Sequence, residues 1–185
     1  MDEIYCIQEL ADIDKTITAE AIRINEIAKK LRFTDSVEFE LNGDTNGIRP
    51  TSNKLKGVYF FEIKNSHSLF DAEKWVSSFR IKWEDWEHYW VPGIKDKRVR
   101  EHKKFDDWIP LYIGKSKNIG SRINEHIHME CTKHTFAMKL KARPNLFGEI
   151  FKVSWIPIDV KNYDMIVPSI ESALRNIYHP IIGRQ

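Results

Sequence analysis

The chain has 185 residues, of which 42% are hydrophobic and 30% charged, so its composition is that of a globular domain and argues against a disordered chain. No apolar run has the length needed to cross a bilayer, and the acidic first residues differ from a secretory signal. Cys6 and Cys131 belong to no CxxC pair, so we expect a reduced, cytoplasmic protein without membrane association.

The charge is unevenly distributed, although the formal net charge is only +2. Residues 1–50 carry six basic and 11 acidic side chains, whereas residues 95–143 carry 13 basic and six acidic ones. A basic segment in a nearly neutral protein indicates that a polyanion contacts that part of the fold. A solvated lysine-rich loop is the alternative, and charge by itself favours it.

The first 50 residues predict a helical N-terminal extension. A helix is expected over residues 14–32, because apolar residues recur there at helical spacing. Its apolar side is formed by Ile17, Ala21, Ile24, Ala28 and Leu31. Residues 41–54 are rich in Gly, Asn, Thr and Pro, so we interpret them as a connector to a second unit, residues 51–185.

Three short segments rich in β-branched and aromatic residues predict the strands of that second unit. They are GVYFFEI (57–63), IPLYIG (109–114) and IFKVSWIPI (150–158).

Residues 64–108 predict a helical, basic insert between the first two of these strands. A helix is expected from Ser68, a possible N-cap, to about Trp90. Five of the six tryptophans fall in or near this section, which predicts that it packs as a small unit of its own; they are Trp75, Trp83, Trp86, Trp90 and Trp108. A basic loop, GIKDKRVREHKK (93–104), follows.

Two further helices are predicted after the second strand. Asn118 is a plausible cap for the first, which would bury Ile119, Ile123 and Ile127. The second is expected to open near Pro168, to bury Ile170, Leu174 and Ile177, and to stop at Pro180.

Side chains able to support chemistry follow these elements in a fixed order. Tyr59 and Tyr112 lie in glycine-containing strands, Arg122 and His126 share one face of the following helix, and Glu171 lies on the last helix. Each residue taken singly is typical of packing or of a solvated surface. The order, however, indicates a site.

The arrangement resembles the GIY-YIG nuclease superfamily. KGVYFFEI (56–63) is similar to its first motif, LYIGKSKNIGSRINEH (111–126) to its second motif and following helix, and ESALRNIYHPIIG (171–183) to its C-terminal helix. The resemblance implies an α/β fold with a small, three-stranded, largely antiparallel sheet flanked by helices. Motif matches of this kind are hypotheses that structural context must support.

The resemblance also implies roles for these residues. Glu171 would hold one Mg²⁺ or Mn²⁺ ion per active site, and Arg122 would bind the scissile phosphate through its fork of donors. Tyr59 would be the general base or a phenol that positions water, helped by Tyr112 and His126. The group that takes the proton stays open.

Two departures from the family pattern bear on function. Gly183 occupies the position at which many members carry an asparagine, which leaves full activity in question. The insert at 64–108 replaces a short hairpin, and target recognition and packing or dimerisation are equally good interpretations of it. The expected DNA-binding residues are Lys115, Lys97, Arg98, Arg100, Lys103, Lys104, Lys141 and Arg143.

The resemblance therefore predicts a metal-dependent endonuclease that hydrolyses double-stranded DNA, of a restriction or defence type. The target itself stays open, because a DNA sequence, a structure-specific junction or RNA would each fit a basic surface. A cutter of palindromic sites needs two active sites, which would make it a homodimer. The rival from another class is a DNA-binding or regulatory module that keeps the fold without turnover. A structural zinc site at His126, His128, Cys131 and His134 is a weaker alternative, because its spacing would require the helix to break.

Overall fold

The computed structural model describes residues 3–50, 54–66, 68–83 and 90–183. Its helices are α1 (Glu3–Lys30), α2 (Ala72–Trp83), α3 (Asp96–Val99), α4 (Ile119–His128) and α5 (Tyr163–Tyr178). Its strands are β1 (Asp35–Glu40), β2 (Gly57–Lys64), β3 (Gly93–Ile94), β4 (Trp108–Ser116), β5 (Ile150–Pro157) and β6 (Ile182–Gly183). Trp86 and residues 84–89 of the helix predicted to reach Trp90 lie outside the described residues, as do residues 51–53 of the predicted connector.

The main sheet has four antiparallel strands in the order β1-β5-β2-β4. The three predicted strands are confirmed as β2, β4 and β5, but the expectation of a three-stranded sheet is wrong. Residues 35–40 add a fourth strand beside β5, because Val37 and Phe39 alternate with polar neighbours and Phe39 stacks on Phe151. The predicted N-terminal extension is therefore not wholly helical.

The sheet separates two layers of helices. Tyr59, Phe61 and Ile63 of β2 point to one face, where they share a core with residues of α2 and α4. Val58 and Phe60 point to the other face and pack with residues of α1 and α5. Successive residues of β2 therefore pack into opposite layers, because side chains alternate between the two faces of a strand.

The helix predicted over residues 14–32 begins earlier, at Glu3. Its C-terminal part packs against the body of the protein, since Ala28 is fully buried, whereas Ile17 is exposed. No helix in the described part of the chain is both long and apolar enough to cross a membrane.

The helix in the insert begins at Ala72 rather than at Ser68. Ser68 has φ of 49°, and Asp71 caps the helix instead, because its Oδ1 accepts a hydrogen bond from the Lys74 N–H at 2.9 Å. Trp75 and Trp83 are buried in the core that also contains Tyr59, so the prediction of a separately packed unit is wrong.

The helix after β4 is confirmed, with Asn118 Oδ1 accepting from the Ser121 N–H at 3.0 Å. The last helix begins at Tyr163 and not near Pro168. The N–H groups of Met165 and Ile166 already donate to the Asn162 carbonyl, so the first turn forms before the proline. Ile170 and Leu174 are buried as predicted, but Ile177 is 43% exposed.

The insert is attached to the main sheet through the C-terminal segment. β3 pairs with β6, with Gly93 opposite Gly183. The Lys95 N–H donates to the Ile181 carbonyl at 2.8 Å, and the Ile181 N–H donates to the Pro110 carbonyl of β4 at 3.0 Å. The insert therefore lies beside β4, the edge strand of the sheet.

Candidate active site

Tyr59 lies at the centre of the site, in β2 opposite Gly114 of β4. Its side chain is buried, and its hydroxyl lies directly over Gly114. A Cβ atom on Gly114 would be 2.3 Å from that hydroxyl and 2.9 Å from the Tyr112 ring. Only glycine, which has no Cβ atom, leaves room for the Tyr59 phenol to lie over β4 at this point.

Gly57 has a comparable requirement at the start of β2. Its φ is +150°, and a Cβ atom there would be 2.0 Å from the Ile156 carbonyl oxygen of β5. Both motif glycines are therefore needed for close backbone packing around Tyr59.

His126 holds the Tyr59 hydroxyl from α4, with 2.9 Å between its Nε2 and the phenol oxygen. Its Nδ1 accepts the Met138 N–H at 3.1 Å, so in the neutral ring the proton is on Nε2 and is donated to Tyr59. Burial, with a smaller effect of the Arg122 charge, holds the pKa of His126 well below its usual value. His126 thus serves as a neutral donor to the phenol and not as its base.

Burial is also the main cause that raises the pKa of Tyr59 well above 10. Tyr112 raises it further, and the Arg122 guanidinium opposes the increase through its charge and a hydrogen bond. The Tyr112 ring is roughly parallel to that of Tyr59 at 6.2 Å and lies 4.9 Å from the His126 ring. In the unliganded protein Tyr59 is therefore a protonated phenol at neutral pH.

Arg122 is fixed on the same helix, next to the phenol. Its guanidinium donates to the Glu125 carboxylate and to the Phe136 carbonyl. Burial acts to lower the pKa of Arg122, but its interactions with Tyr59 and Glu125 outweigh that effect and leave the pKa raised. A permanently charged donor fork is thus held beside Tyr59.

Glu171 approaches the edge of β4 from α5. Its side chain is 7% exposed, and its two oxygens lie 2.8 Å from Lys115 Nζ and 2.5 Å from Arg175 Nη2. Arg175 also donates to the Ile113 carbonyl at 3.1 and 3.2 Å, which ties the carboxylate to the edge strand. The charge of Glu171 is the weakest of the causes that act on the pKa of Tyr59, and it raises that pKa.

The donor set at Glu171 fits a hard divalent cation bound mainly by its substrate. No group of three or more His, Cys, Asp or Glu side chains able to hold a metal is found in residues 3–50, 54–66, 68–83 and 90–183. Mg²⁺ is commonly bound by one or two carboxylates, with phosphate oxygens and waters completing its shell. Glu171 Oε2 accepts a hydrogen bond from the Lys115 ammonium at 2.8 Å, so a metal ion would bind this oxygen only in place of that lysine.

The alternative zinc site receives no support from the geometry, because its four side chains have separate partners. His126 contacts Tyr59, His128 Nε2 lies 3.3 Å from the Thr45 carbonyl, Cys131 Sγ lies 3.8 Å from the Ala142 carbonyl, and the His134 ring is edge-on to Trp90.

Most of the expected DNA-binding residues lie at the surface. Lys97, Arg100, Lys103 and Lys104 are exposed, while Arg98, Lys115 and Lys141 are partly exposed. Lys141 Nζ lies 3.3 Å from the Gly43 carbonyl.

The prediction that Arg143 belongs to the DNA-binding residues is wrong. Its side chain is fully buried, where Nε donates to the Met138 carbonyl at 2.9 Å and Nη1 to the Trp83 carbonyl at 3.0 Å. The guanidinium also lies 3.9 Å from the centre of the Trp83 ring, and burial lowers its pKa to about 10. Arg143 stabilises the core and does not face DNA.

Sequence reasoning missed several partners of the site. Arg175 is four residues after Glu171 on the same helix, so helical spacing could have identified that ion pair. The contacts of the Met138 N–H and the Phe136 carbonyl carry no such signal, because any residue type supplies a backbone group.

The chain matches no protein-family model, and comparisons with curated proteins and with solved structures find no similar protein. The relation to the GIY-YIG superfamily therefore remains a proposal, based on the motifs and on the geometry of the residues that they contain.

Proposed function

We propose that the protein is a metal-dependent endonuclease of the GIY-YIG type that hydrolyses phosphodiester bonds of double-stranded DNA. The observation that supports this most strongly is the cluster at the edge of β4. There the Tyr59 phenol receives a hydrogen bond from His126 over Gly114, beside the Arg122 guanidinium and within the field of Glu171. An activated water, a phosphate-binding cation and a metal-binding carboxylate are the groups that such a hydrolysis requires.

Tyr59 would position the attacking water, and it could accept the proton of that water only as a phenolate, after releasing its own proton to solvent. The phenol oxygen already receives the His126 Nε2–H and interacts with Arg122, and both groups favour the phenolate. Arg122 would bind a non-bridging oxygen of the scissile phosphate, because guanidinium geometry matches phosphate. Tyr112 packs beside both Tyr59 and His126 and restricts their motion.

Glu171 would hold one Mg²⁺ or Mn²⁺ ion, which supplies charge neutralisation for the phosphate and the leaving oxygen. Lys115 contacts Glu171 Oε2 and is partly exposed, so it can move to a phosphate when another cation binds the carboxylate. Arg175 would keep the carboxylate aimed at the site through the Ile113 carbonyl.

A catalytically inactive DNA-binding module is the second candidate. Two observations favour it: Gly183 replaces the asparagine of many family members, and both Glu171 oxygens are paired with basic side chains. A module of this kind would bind DNA but would show no metal-dependent cleavage.

The experiment that separates the two candidates uses supercoiled plasmid and long linear DNA, with Mg²⁺, with Mn²⁺ and with chelator. We expect metal-dependent cleavage by the wild-type protein and none by Glu171→Gln. Glu149→Gln is the matched control, since it also removes a shielded, ion-paired carboxylate, the partner of Lys82. DNA that is bound but stays intact under every condition would favour the inactive module.

We also propose a restriction or defence role and a homodimer, because two active sites are needed to cut both strands of a palindromic site. Discrete cleavage products would support a sequence-specific enzyme, and light scattering coupled to gel filtration would measure the mass of the assembly. A monomer in the presence of cleaved DNA would contradict the dimer.

A further inference from the structure

Arg98 of the insert lies next to Gly183 of β6, the strand that follows the helix of Glu171. It belongs to α3, which follows directly after β3, and β3 is paired with the C-terminal strand β6. Lys95, the residue before α3, is fixed by its N–H bond to the Ile181 carbonyl at 2.8 Å. The segment that carries Arg98 is thus attached to the strand that follows the helix of Glu171.

A second set of contacts fixes the other end of the segment. Val99 is buried in the main core, and His102 Nε2 lies 2.8 Å from the carbonyl of His179, the C-cap residue of α5. Arg98 is therefore held between two anchors and does not lie on a free loop.

Gly183 lies next to the Arg98 guanidinium. A Cβ atom on Gly183 would lie 3.6 Å from Arg98 Nη1 and 3.9 Å from Lys95 Cγ, which are ordinary van der Waals contacts. The position at which many family members carry an asparagine is therefore a direct neighbour of Arg98 in this protein.

The Arg98 guanidinium is partly buried, yet it has no hydrogen bond or ion pair within the part of the chain that the structure describes. Burial and the charge of Arg175 lower its pKa, while the charge of Glu171 opposes that decrease. A donor fork that is shielded from water and lies near a second arginine is stabilised by a bound anion. Lys115, the partner of Glu171, is 36% exposed, so a phosphate can reach this end of the site, and a phosphate oxygen is the anion that suits a guanidinium there.

We propose that Arg98 is a phosphate-binding residue of the active site, supplied by the insert and adjacent to Gly183. The identification of the anion as a DNA phosphate rests on the proposed function. The insert would then serve the active site directly, in addition to any contact that its outer lysines make with DNA.

The test compares Arg98→Ala and Arg98→Lys with Arg23→Ala, which removes an exposed arginine of α1. Binding of a short mixed-sequence duplex is measured in chelator at several salt concentrations, and cleavage of plasmid is measured with Mg²⁺ under single-turnover conditions. We expect Arg98→Ala to weaken binding about tenfold and to reduce the salt slope by about one. The single-turnover rate should fall as well, Arg98→Lys should recover part of the binding, and Arg23→Ala should match the wild type.

The outcomes separate this proposal from the proposed function. Wild-type-like binding and single-turnover cleavage by Arg98→Ala would overturn the role of Arg98 and leave the nuclease standing. A wild-type protein that binds without cutting, but loses binding in Arg98→Ala, would overturn the nuclease and keep the phosphate site. Absence of DNA binding by the wild type would overturn both. If Arg98→Ala fails to fold, as judged by thermal unfolding, Arg98→Lys and Arg98→Gln provide the comparison.

Discussion

The two halves of the candidate site differ in how they hold their functional groups. On the α4 side, Tyr59 and His126 are buried, uncharged and linked by a hydrogen bond. On the α5 side, Glu171 is held by Lys115 and Arg175, both of which keep some exposure to solvent. Under the proposed function, the first half would handle the proton of the attacking water and the second half would bind the metal ion. Four predictions test this comparison.

Glu171→Gln should have the largest effect, because it removes the charge that the second half depends on. We expect cleavage to fall below detection while DNA binding is kept, since phosphate contacts by basic residues supply most of the affinity. Cleavage and gel-shift assays on the same preparation measure both. Cleavage by Glu171→Gln at the rate of Glu149→Gln would contradict the role of Glu171.

Tyr59→Phe should lower the single-turnover cleavage rate by about 10²–10⁴-fold, the usual contribution of a general base. The ring that packs against Tyr112 and His126 is kept, so folding should be preserved. Tyr178→Phe is the control, because Tyr178 packs against Phe33 and Phe60 in the other layer. Equal cleavage rates for Tyr59→Phe and Tyr178→Phe would show that the Tyr59 hydroxyl takes no part in the reaction.

Gly114→Ala should destabilise the protein by about 1–3 kcal/mol, since the new methyl group would overlap the Tyr59 hydroxyl. Gly93→Ala is the matched control, because a Cβ atom there meets nothing within 4 Å. Urea unfolding measures both changes. A Gly114→Ala protein as stable as Gly93→Ala would show that the phenol does not lie over the strand.

The pH dependence of stability should report on His126, whose pKa is lowered in the folded protein. Below pH 6.5 the unfolded chain binds a proton that the buried ring does not, so stability falls as the pH falls. Between pH 7 and pH 5 the loss should reach about 2 kcal/mol. His134→Gln should keep this loss, because His134 is exposed, whereas His126→Gln should reduce it. An unchanged profile in His126→Gln would contradict a buried, neutral ring.

The strands that carry the sequence motifs were predicted more accurately than the segments that surround them. β2, β4 and β5 were identifiable from runs of buried aromatic and β-branched residues, and Asn118 from its capping role. β1 was missed because its alternation spans only a few residues inside a segment dominated by a long helix. Arg143 was misassigned for a different reason, since a count of charges cannot tell a solvated guanidinium from one stacked on Trp83.

The site residues were predicted by type and order, but their connections required the fold. Nothing in the order of the motifs indicates that the Met138 N–H fixes the tautomer of His126, or that α3 brings Arg98 to the C-terminal strand. Both depend on long-range pairing, which brings together segments that are distant in sequence.

The most direct test of the proposed nuclease activity is the single-turnover cleavage of plasmid DNA by protein in excess, with Mg²⁺ added last. We predict cleavage by the wild type and by Tyr178→Phe, and none by Glu171→Gln or in chelator. Intact DNA with the folded wild-type protein, or equal cleavage by Glu171→Gln, would contradict the assignment of this site as a metal-dependent nuclease.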